Sequence, residues 1–278
     1  KLLKLKWKEM LMLMNFFYAG LLFLIPSNLF QTFLLETSYV NGVSSDYLLA
    51  KLHASDILLL VIFLIIIVST TYKIRYKKLF AACALLLLIA QSTASHPVIS
   101  MLFLGKIVIL SSIGVFLVKN SHFLTSKITL ASISATLLFQ SLLAWYQYFE
   151  QKSLFGYLFL GETNLQAYSG IAKSSLYGIE KILPYGTTAH PNILGGFLTI
   201  FILILFQNRS KEKLLHNIQL LILCLAVSAL VLTQSLSAIL GLLLGFGVLF
   251  MGRNYTLNTP RFMLALFFLA NLGVITFL

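Results

Sequence analysis

In PYGTTAHPNILGGFL, Pro184 to Leu198, Tyr185, Gly186, Thr187, His190 and Asn192 crowd the mouth of a long apolar run. Pro191 suits the first turn of a helix, so a helix is predicted to start beside His190, with Asn192 in a local capping role. The first N–H groups of a helix lack partners, and its dipole is positive at that end, so the site favours an anion. Rimmed by Tyr185, Thr187, Thr188, His190 and Asn192, it offers a place for a phosphate or a sugar hydroxyl. Gly186 lets the backbone turn sharply, and Gly195–Gly196 let another helix or a lipid tail approach one turn deeper. Plain helix capping needs the same Thr, Pro and Asn, so the structural use stands beside the functional one.

Cations are the second ingredient for holding an anion. Lys152, Lys173 and Lys181 lie shortly before the corner. Lys106 is different, because it falls inside an apolar run, where a charge is costly unless solvated or paired. It is expected to face the bundle interior, with Glu36, Asp46 or Asp56 as the carboxylates that meet it. The alternative is a lysine that snorkels to the interface. The remaining histidines suggest no chemistry: His96–Pro97 marks a second turn of the His-Pro kind, and His53, His122 and His216 are expected at interfaces or in solvent.

The elements that must position these residues are membrane helices. The chain has 278 residues, of which 59% are hydrophobic and 10% charged, with a mean hydropathy of +0.94. Soluble domains are not composed this way. Crossing the hydrocarbon takes about 20 apolar residues in a helix, and such runs recur with short polar breaks. Spans are predicted near Met10–Phe33, Asp56–Tyr72, Leu79–Ser95, Val98–Val118, Ile128–Phe149, His190–Gln207, Asn217–Thr233, Ser235–Met251 and Phe262–Leu278. The expected fold is therefore an all-α polytopic bundle of about nine spans, one integral membrane domain over residues 1–278.

Five breaks are basic: Lys1/Lys4/Lys6/Lys8, Lys73/Arg75/Lys77/Lys78, Lys119/Lys127, Arg209/Lys211/Lys213 and Arg253/Arg261. They hold 15 of the 20 basic residues, and nine spans place them all on one side. Cytoplasmic loops carry such an excess, so the N-terminus is expected inside. Six of the eight acidic residues, Glu36, Asp46, Asp56, Glu150, Glu162 and Glu180, then fall outside or at the outer interface. The net charge of +12 is thus a topology signal; spread over five breaks, it makes no nucleic-acid surface.

Other chemistries find no footing. Cys83 and Cys224 lie in predicted spans and read as core, with no metal spacing and no disulfide pair. No cofactor motif is present: Gly241, Gly245 and Gly247 fit close helix packing better than a phosphate loop. The first span is too long for a cleaved signal peptide. The irregular sequence gathers outside, at Leu34–Ser55 and Glu150–Ala189. The latter carries five aromatic residues from Phe155 to Tyr177, and is expected to form an interfacial helix, a lid over a cavity, or an aromatic belt at the membrane surface.

Three segments carry a resemblance. QSLLAWYQYFEQ, GETNLQAYSGIAK and PYGTTAHPNILGGFL, within Gln140 to Leu198, resemble the membrane glycosyltransferases of the O-antigen ligase and polymerase superfamily. SYVNGVSSDYLLAKLHASDILLL, Ser38 to Leu60, is similar to the first outer loop and second helix of ligase-like members, and LTQSLSAILGLLLG, Leu232 to Gly245, to their hairpin between successive spans. The resemblance implies a multi-pass protein of the bacterial cytoplasmic membrane, working on its outer face in polysaccharide or lipopolysaccharide synthesis. The donor would be a glycan on a polyprenyl diphosphate, the acceptor a lipid-borne sugar, another repeat unit or a protein. It implies no metal and no cofactor: cations hold the departing diphosphate and a histidine acts on the acceptor hydroxyl. The substrate-binding residues it suggests are Lys106, Lys173, Lys181, Tyr185, Gly186, Thr187, His190 and Asn192.

The chain departs from the family pattern at two cations: Leu183 stands where an arginine precedes the PYGT-like element, and Ser235-Leu236 where the pattern is Ser-Arg. Family members continue with a large outer loop holding the acceptor-activating histidine, so the chain is expected to lack that C-terminal part, and His190, a helix-start residue in the family, is not assigned its role. A non-catalytic protein that binds or transports the lipid carrier on the same scaffold is the alternative.

Overall fold

The computed structural model describes residues 2–34, 38–40, 43–44, 48–69, 85, 88–89, 91–92, 94, 96–166, 170–174 and 180–252. The predicted spans Leu79–Ser95, for the most part, and Phe262–Leu278 lie outside these, as do Cys83, Glu36, Asp46 and the basic breaks at 73–78 and 253–261.

The described chain is mostly helical. Seven α-helices run in order: α1 (Leu2–Leu24), α2 (Ala54–Ser69), α3 (Pro97–Lys119), α4 (Lys127–Glu150), α5 (Pro191–Gln207), α6 (Lys213–Leu232) and α7 (Leu236–Gly252). Three of them, α3, α4 and α6, are long and apolar enough to cross a membrane. The shorter α2, α5 and α7, and Met12–Leu24 within α1, are apolar too. The outward faces of these helices carry large apolar side chains, among them Met101 and Phe103 on α3, Leu142 on α4, Leu221 on α6 and Leu244 on α7. Water would not tolerate so much apolar surface, whereas lipid would.

Most helix limits agree with the sequence expectation within a few residues, and those of the first span do not. It was expected over Met10–Phe33; α1 starts earlier, at Leu2, and it stops at Leu24, while Phe30–Phe33 forms strand β1. Pro26 is the cause of the early stop, since it lacks an N–H and clashes with the preceding turn. The outer segment that follows is also not plain loop. Besides β1 it contains β2 (Tyr39–Val40), β3 (Val43–Ser44) and β4 (Ala50–His53). Strands β1 and β4 pair antiparallel, Phe30 opposite His53, and β2 pairs with β3.

Two compact units divide the chain. The first comprises the described residues of 1–17 and 30–119, where α2 packs on α3 and the β1–β4 ladder leads into α2. The second comprises residues 18–29 and the described residues of 120–252. In it α4 packs on α6, and α5 lies against both α6 and α7. Its core includes Leu137, Ala144, Leu194, Ile202, Leu205, Ala226 and Leu230. Gly195 allows the α5–α7 approach, because a Cβ there would stand 2.9 Å from Cβ of Ser235 and 3.0 Å from that of Ala238. Gly245 serves likewise against Leu203, whereas Gly196 and Gly247 face open space. Cys224, expected in the core, is exposed on α6: the apolar outer face of such a helix takes a thiol as readily as the core does.

Candidate functional site

The corner at 184–190 is built from α4. Ser126 caps this helix by accepting from the Thr129 N–H at 3.2 Å, and Gln151, left-handed at φ 54, ends it. One face of α4 is buried, and along it run polar residues: Thr129, Thr136, Gln140 and Gln147. Gln140 and Gln147 are two helical turns apart and share that face. Each reaches the backbone of the corner.

Gln147 is fully buried and satisfies both ends of its amide. Its Oε1 accepts from the N–H of Tyr185 at 2.9 Å and of Gly186 at 2.7 Å. Its Nε2 donates to the Gly186 carbonyl at 2.9 Å and to Glu162 Oε1 at 2.9 Å. Gln140 repeats the pattern at Thr187, accepting from its N–H at 3.1 Å and donating to its Oγ1 at 2.6 Å. Thr187 Oγ1 in turn donates to the Pro26 carbonyl at 3.2 Å, and the Asn28 N–H donates to the Thr187 carbonyl at 2.8 Å. Gly186 is left-handed at φ 56, and a Cβ there would strike Gln140 Oε1 and Leu194. The glycine is therefore required by both conformation and space.

Gln140 lies ten residues before the end of α4, about 15 Å along the helix axis. The corner thus runs beside the last turns of a helix long enough to cross a membrane. Irregular backbone at such a depth is tolerated only where protein groups satisfy its N–H and C=O. The two glutamines do this, which explains amides in an apolar helix.

Glu162 completes the network. Fully buried, it accepts through Oε1 from the Leu154 N–H at 2.8 Å and through Oε2 from the N–H groups of Phe155 at 2.6 Å and Gly156 at 2.9 Å. With Gln147 this makes four donors on one carboxylate, an arrangement in which successive N–H groups cradle an anion. Thr188 Oγ1 donates to the carbonyls of Tyr185 at 2.7 Å and His190 at 2.9 Å. Tyr185 Oη accepts from the Ala172 N–H at 2.8 Å.

At the start of α5 the structure corrects one expectation. His190, not Asn192, is the N-cap: its Nδ1 accepts from the Asn192 N–H at 3.2 Å, and Pro191 follows at the first helical position. An imidazole that accepts through Nδ1 is neutral and carries its proton on Nε2. Partial burial lowers the His190 pKa below its ordinary value. His190 and Asn192 are exposed, whereas Tyr185, Gly186 and Thr187 are buried. The five predicted corner residues are thus together, but three of them form the support and two the accessible end.

The predicted cations are engaged elsewhere. Lys173 and Lys181 lie on a short antiparallel ladder of β5 (Lys173–Ser174) and β6 (Lys181–Ile182), which leads straight into the corner. Lys173 meets Glu180 at 3.4 Å and Lys152 meets Glu150 at 3.7 Å, both pairs exposed. Lys181 Nζ sits 5.1 Å from the centre of the Tyr148 ring. In the first unit, Lys106 Nζ is 2.7 Å from Asp56 Oδ2 and 3.4 Å from the Lys51 carbonyl. Asp56 Oδ2 also accepts from the His53 N–H at 2.9 Å, with the His53 ring 3.6 Å away. Lys106 therefore has a carboxylate partner in Asp56, one of the three its position suggested. His53, expected at an interface or in solvent, belongs to this cluster.

Of the three forms expected for the segment between α4 and α5, an interfacial helix, a lid or an aromatic belt, the helix is not seen. Among the segment's described residues there are turns and the β5–β6 ladder but no helix. Left-handed conformations at Gly156 (φ 79), Leu160 (φ 54) and Gly161 (φ 75) break any helical run. Sequence reasoning missed Gln140, Gln147 and Glu162 as site residues. The signal was present: two amides seven apart in an otherwise apolar stretch have to find partners. No group of three or more metal-ligating residues occurs among the described residues.

These features define a mostly helical protein with three candidate membrane-spanning helices and an irregular corner locked by buried amides. No protein-family model, curated protein or solved structure matches the chain.

Proposed function

We propose that the chain is a multi-pass protein of the bacterial cytoplasmic membrane, with nine spans and a cytoplasmic N-terminus, that transfers a glycan from a polyprenyl diphosphate carrier to an acceptor on the outer face. The observation that carries this reading is the corner itself. Gln140, Gln147 and Glu162 hold residues 185–187 rigidly and leave His190 and Asn192 accessible at the N-terminus of α5. The resemblance of the three quoted segments to ligase-like glycosyltransferases supplies the substrate class. The parity of the spans lends support: the residues after α1, the end of α4 and the start of α5 meet at this corner, as nine spans with odd-numbered outer ends require.

In this reading the α5 N-terminus and its dipole attract the carrier diphosphate. Lys181 adds positive charge at the approach to the corner. Charge gathers on the departing diphosphate, so fixed positive groups in a partly dehydrated site stabilise the transition state more than the ground state. His190, with Nδ1 engaged, presents Nε2–H as a hydrogen-bond donor. The non-catalytic alternative, a lipid-carrier binding or transport protein, is favoured by two observations: Lys152 and Lys173 are already paired with Glu150 and Glu180, and leucines stand at 183 and 236.

Vesicles holding the full chain test both. A labelled polyprenyl-diphosphate glycan should bind above protein-free vesicles, more weakly in His190→Ala and Lys181→Gln but not in Lys152→Gln. Transfer to an added acceptor favours the enzyme, and binding without transfer favours the carrier protein. Absence of binding, or cytosolic labelling of a cysteine placed at 164, overturns the proposal.

A further inference from the structure

The turn at 153–162 combines an apolar tip with a polar underside. Leu158 is 92% exposed, and its neighbours Leu154, Phe155 and Phe159 are between 45% and 49% exposed. Phe155 and Phe159 pack against each other, tilted by 40° with centroids 4.4 Å apart. Phe149, in the last turn of α4, is exposed too. A contiguous apolar surface of this kind marks an interaction site.

The base of the turn is fixed. Ser27 Oγ donates to the Leu160 carbonyl at 2.7 Å, and Ser153 Oγ to the Thr163 carbonyl at 2.7 Å. A Cβ on Gly161 would run into the backbone of Asn28 and Leu29. The apolar tip is therefore held outward by structure and is not the slack of a loose loop.

Much of the backbone of the turn is also paired. Glu162 accepts from the N–H groups of Leu154, Phe155 and Gly156. The N–H groups of Phe159, Gly161 and Glu162 donate to the carbonyls of Gly156, Tyr157 and Phe159. In water such pairing is optional, but in lipid an unpaired N–H costs several kcal/mol.

We infer that residues 154–159 form a wedge that inserts into the leaflet at the Glu150 end of α4. The occupant is lipid acyl chain and not a second copy of this chain. A stable protein interface buries about 800 Å² per partner, far more than a tip of six residues presents. Lipid is also at hand: Ser153 follows the end of α4 by three residues, at most about 11 Å of chain, and α4 is itself long and apolar enough to span. Glu150 and Lys152, paired and exposed, sit at headgroup level between the helix and the wedge. This rests on α4 being a membrane span and is independent of glycan transfer.

The test uses the full chain with its native cysteines replaced, reconstituted in vesicles with or without brominated acyl chains. An environment-sensitive fluorophore is attached at Leu158→Cys, at Asn164→Cys as a polar site on the same loop, or at Leu142→Cys on the exposed face of α4. All three positions are exposed, so the label leaves the fold intact. The expected result at 158 is a blue-shifted emission, strong quenching by brominated lipid, and iodide quenching several-fold weaker than at 164. Glu162→Gln, which puts an amide donor among N–H donors, should shift 158 toward the behaviour of 164. Iodide quenching at 158 equal to that at 164 overturns the wedge. Protection of 158 from both quenchers overturns it as well, since protein then covers the tip. Lack of lipid quenching at 142 removes the span beneath it, whereas failure of glycan binding alone leaves the wedge standing.

Discussion

Replacing Gln147 by leucine is the sharpest test of how the corner is held. Leucine keeps the volume roughly and removes the amide. Two N–H groups, of Tyr185 and Gly186, lose their acceptor, and the Gly186 carbonyl and Glu162 lose a donor. A buried polar group left unpaired costs about 1–3 kcal/mol. Glu162 keeps three donors, so the two N–H groups and the Gly186 carbonyl dominate. With partial relaxation the loss is about 4 kcal/mol, close to a thousandfold in the opening equilibrium of the corner. Hydrogen exchange with mass spectrometry in nanodiscs measures this directly: peptides covering 184–188 and 154–156 should exchange far faster, while those in α6 and α7 hold. Gln151→Ala provides the comparison, because its side chain is only partly buried and its loss should cost about 1 kcal/mol. An increase below tenfold at 184–188, or equal effects of the two substitutions, would refute the assignment of Gln147 as the anchor.

Two further predictions concern titratable groups. Burial lowers the His190 pKa from 6.5, and its cap needs a neutral Nδ1. The unfolded chain therefore binds a proton at higher pH than the folded one, so the stability from this residue is present above about pH 6.5 and lost as the pH falls below it. His190→Asn, which caps without titrating, should flatten that acid-side loss in a thermal-shift series, and an unchanged pH profile would refute it. In the first unit, Asp56→Asn leaves the Lys106 charge unpaired and Lys106→Met leaves that of Asp56. A double-mutant cycle read by thermal or chemical unfolding should give a coupling of roughly 2 kcal/mol, between the values of exposed and fully buried pairs. Strict additivity would show that the two residues do not interact.

How much of this was legible in the residues varies by element. The limits of α3 and α4 were readable almost to the residue, since apolar runs bounded by Pro97 and Lys119, or by Lys127 and Glu150, fix where a helix is stable. The end of α1 was misjudged because hydropathy continues through Pro26 into Phe30–Phe33, although backbone chemistry does not allow the helix to follow. The glycine spacing on α5 and α7 announced close packing, yet which glycines make contact depended on helix rotation, and only Gly195 and Gly245 come close.

By itself the sequence determined the solvent and the class of element: chains this apolar satisfy their backbone in helices, and Pro191 sets the start of one. It also fixed which residues would have to solve a problem, the amides at 140 and 147 and the lysine at 106, because buried polar groups need partners. Only the tertiary structure decided who those partners are. Gln140 and Gln147 reach residues 38 to 47 positions away, and Glu162 turns to the backbone of 154–156. Local periodicity carries no information about such pairings, since they arise when helix ends are brought together and each buried donor takes the acceptor that packing leaves within reach.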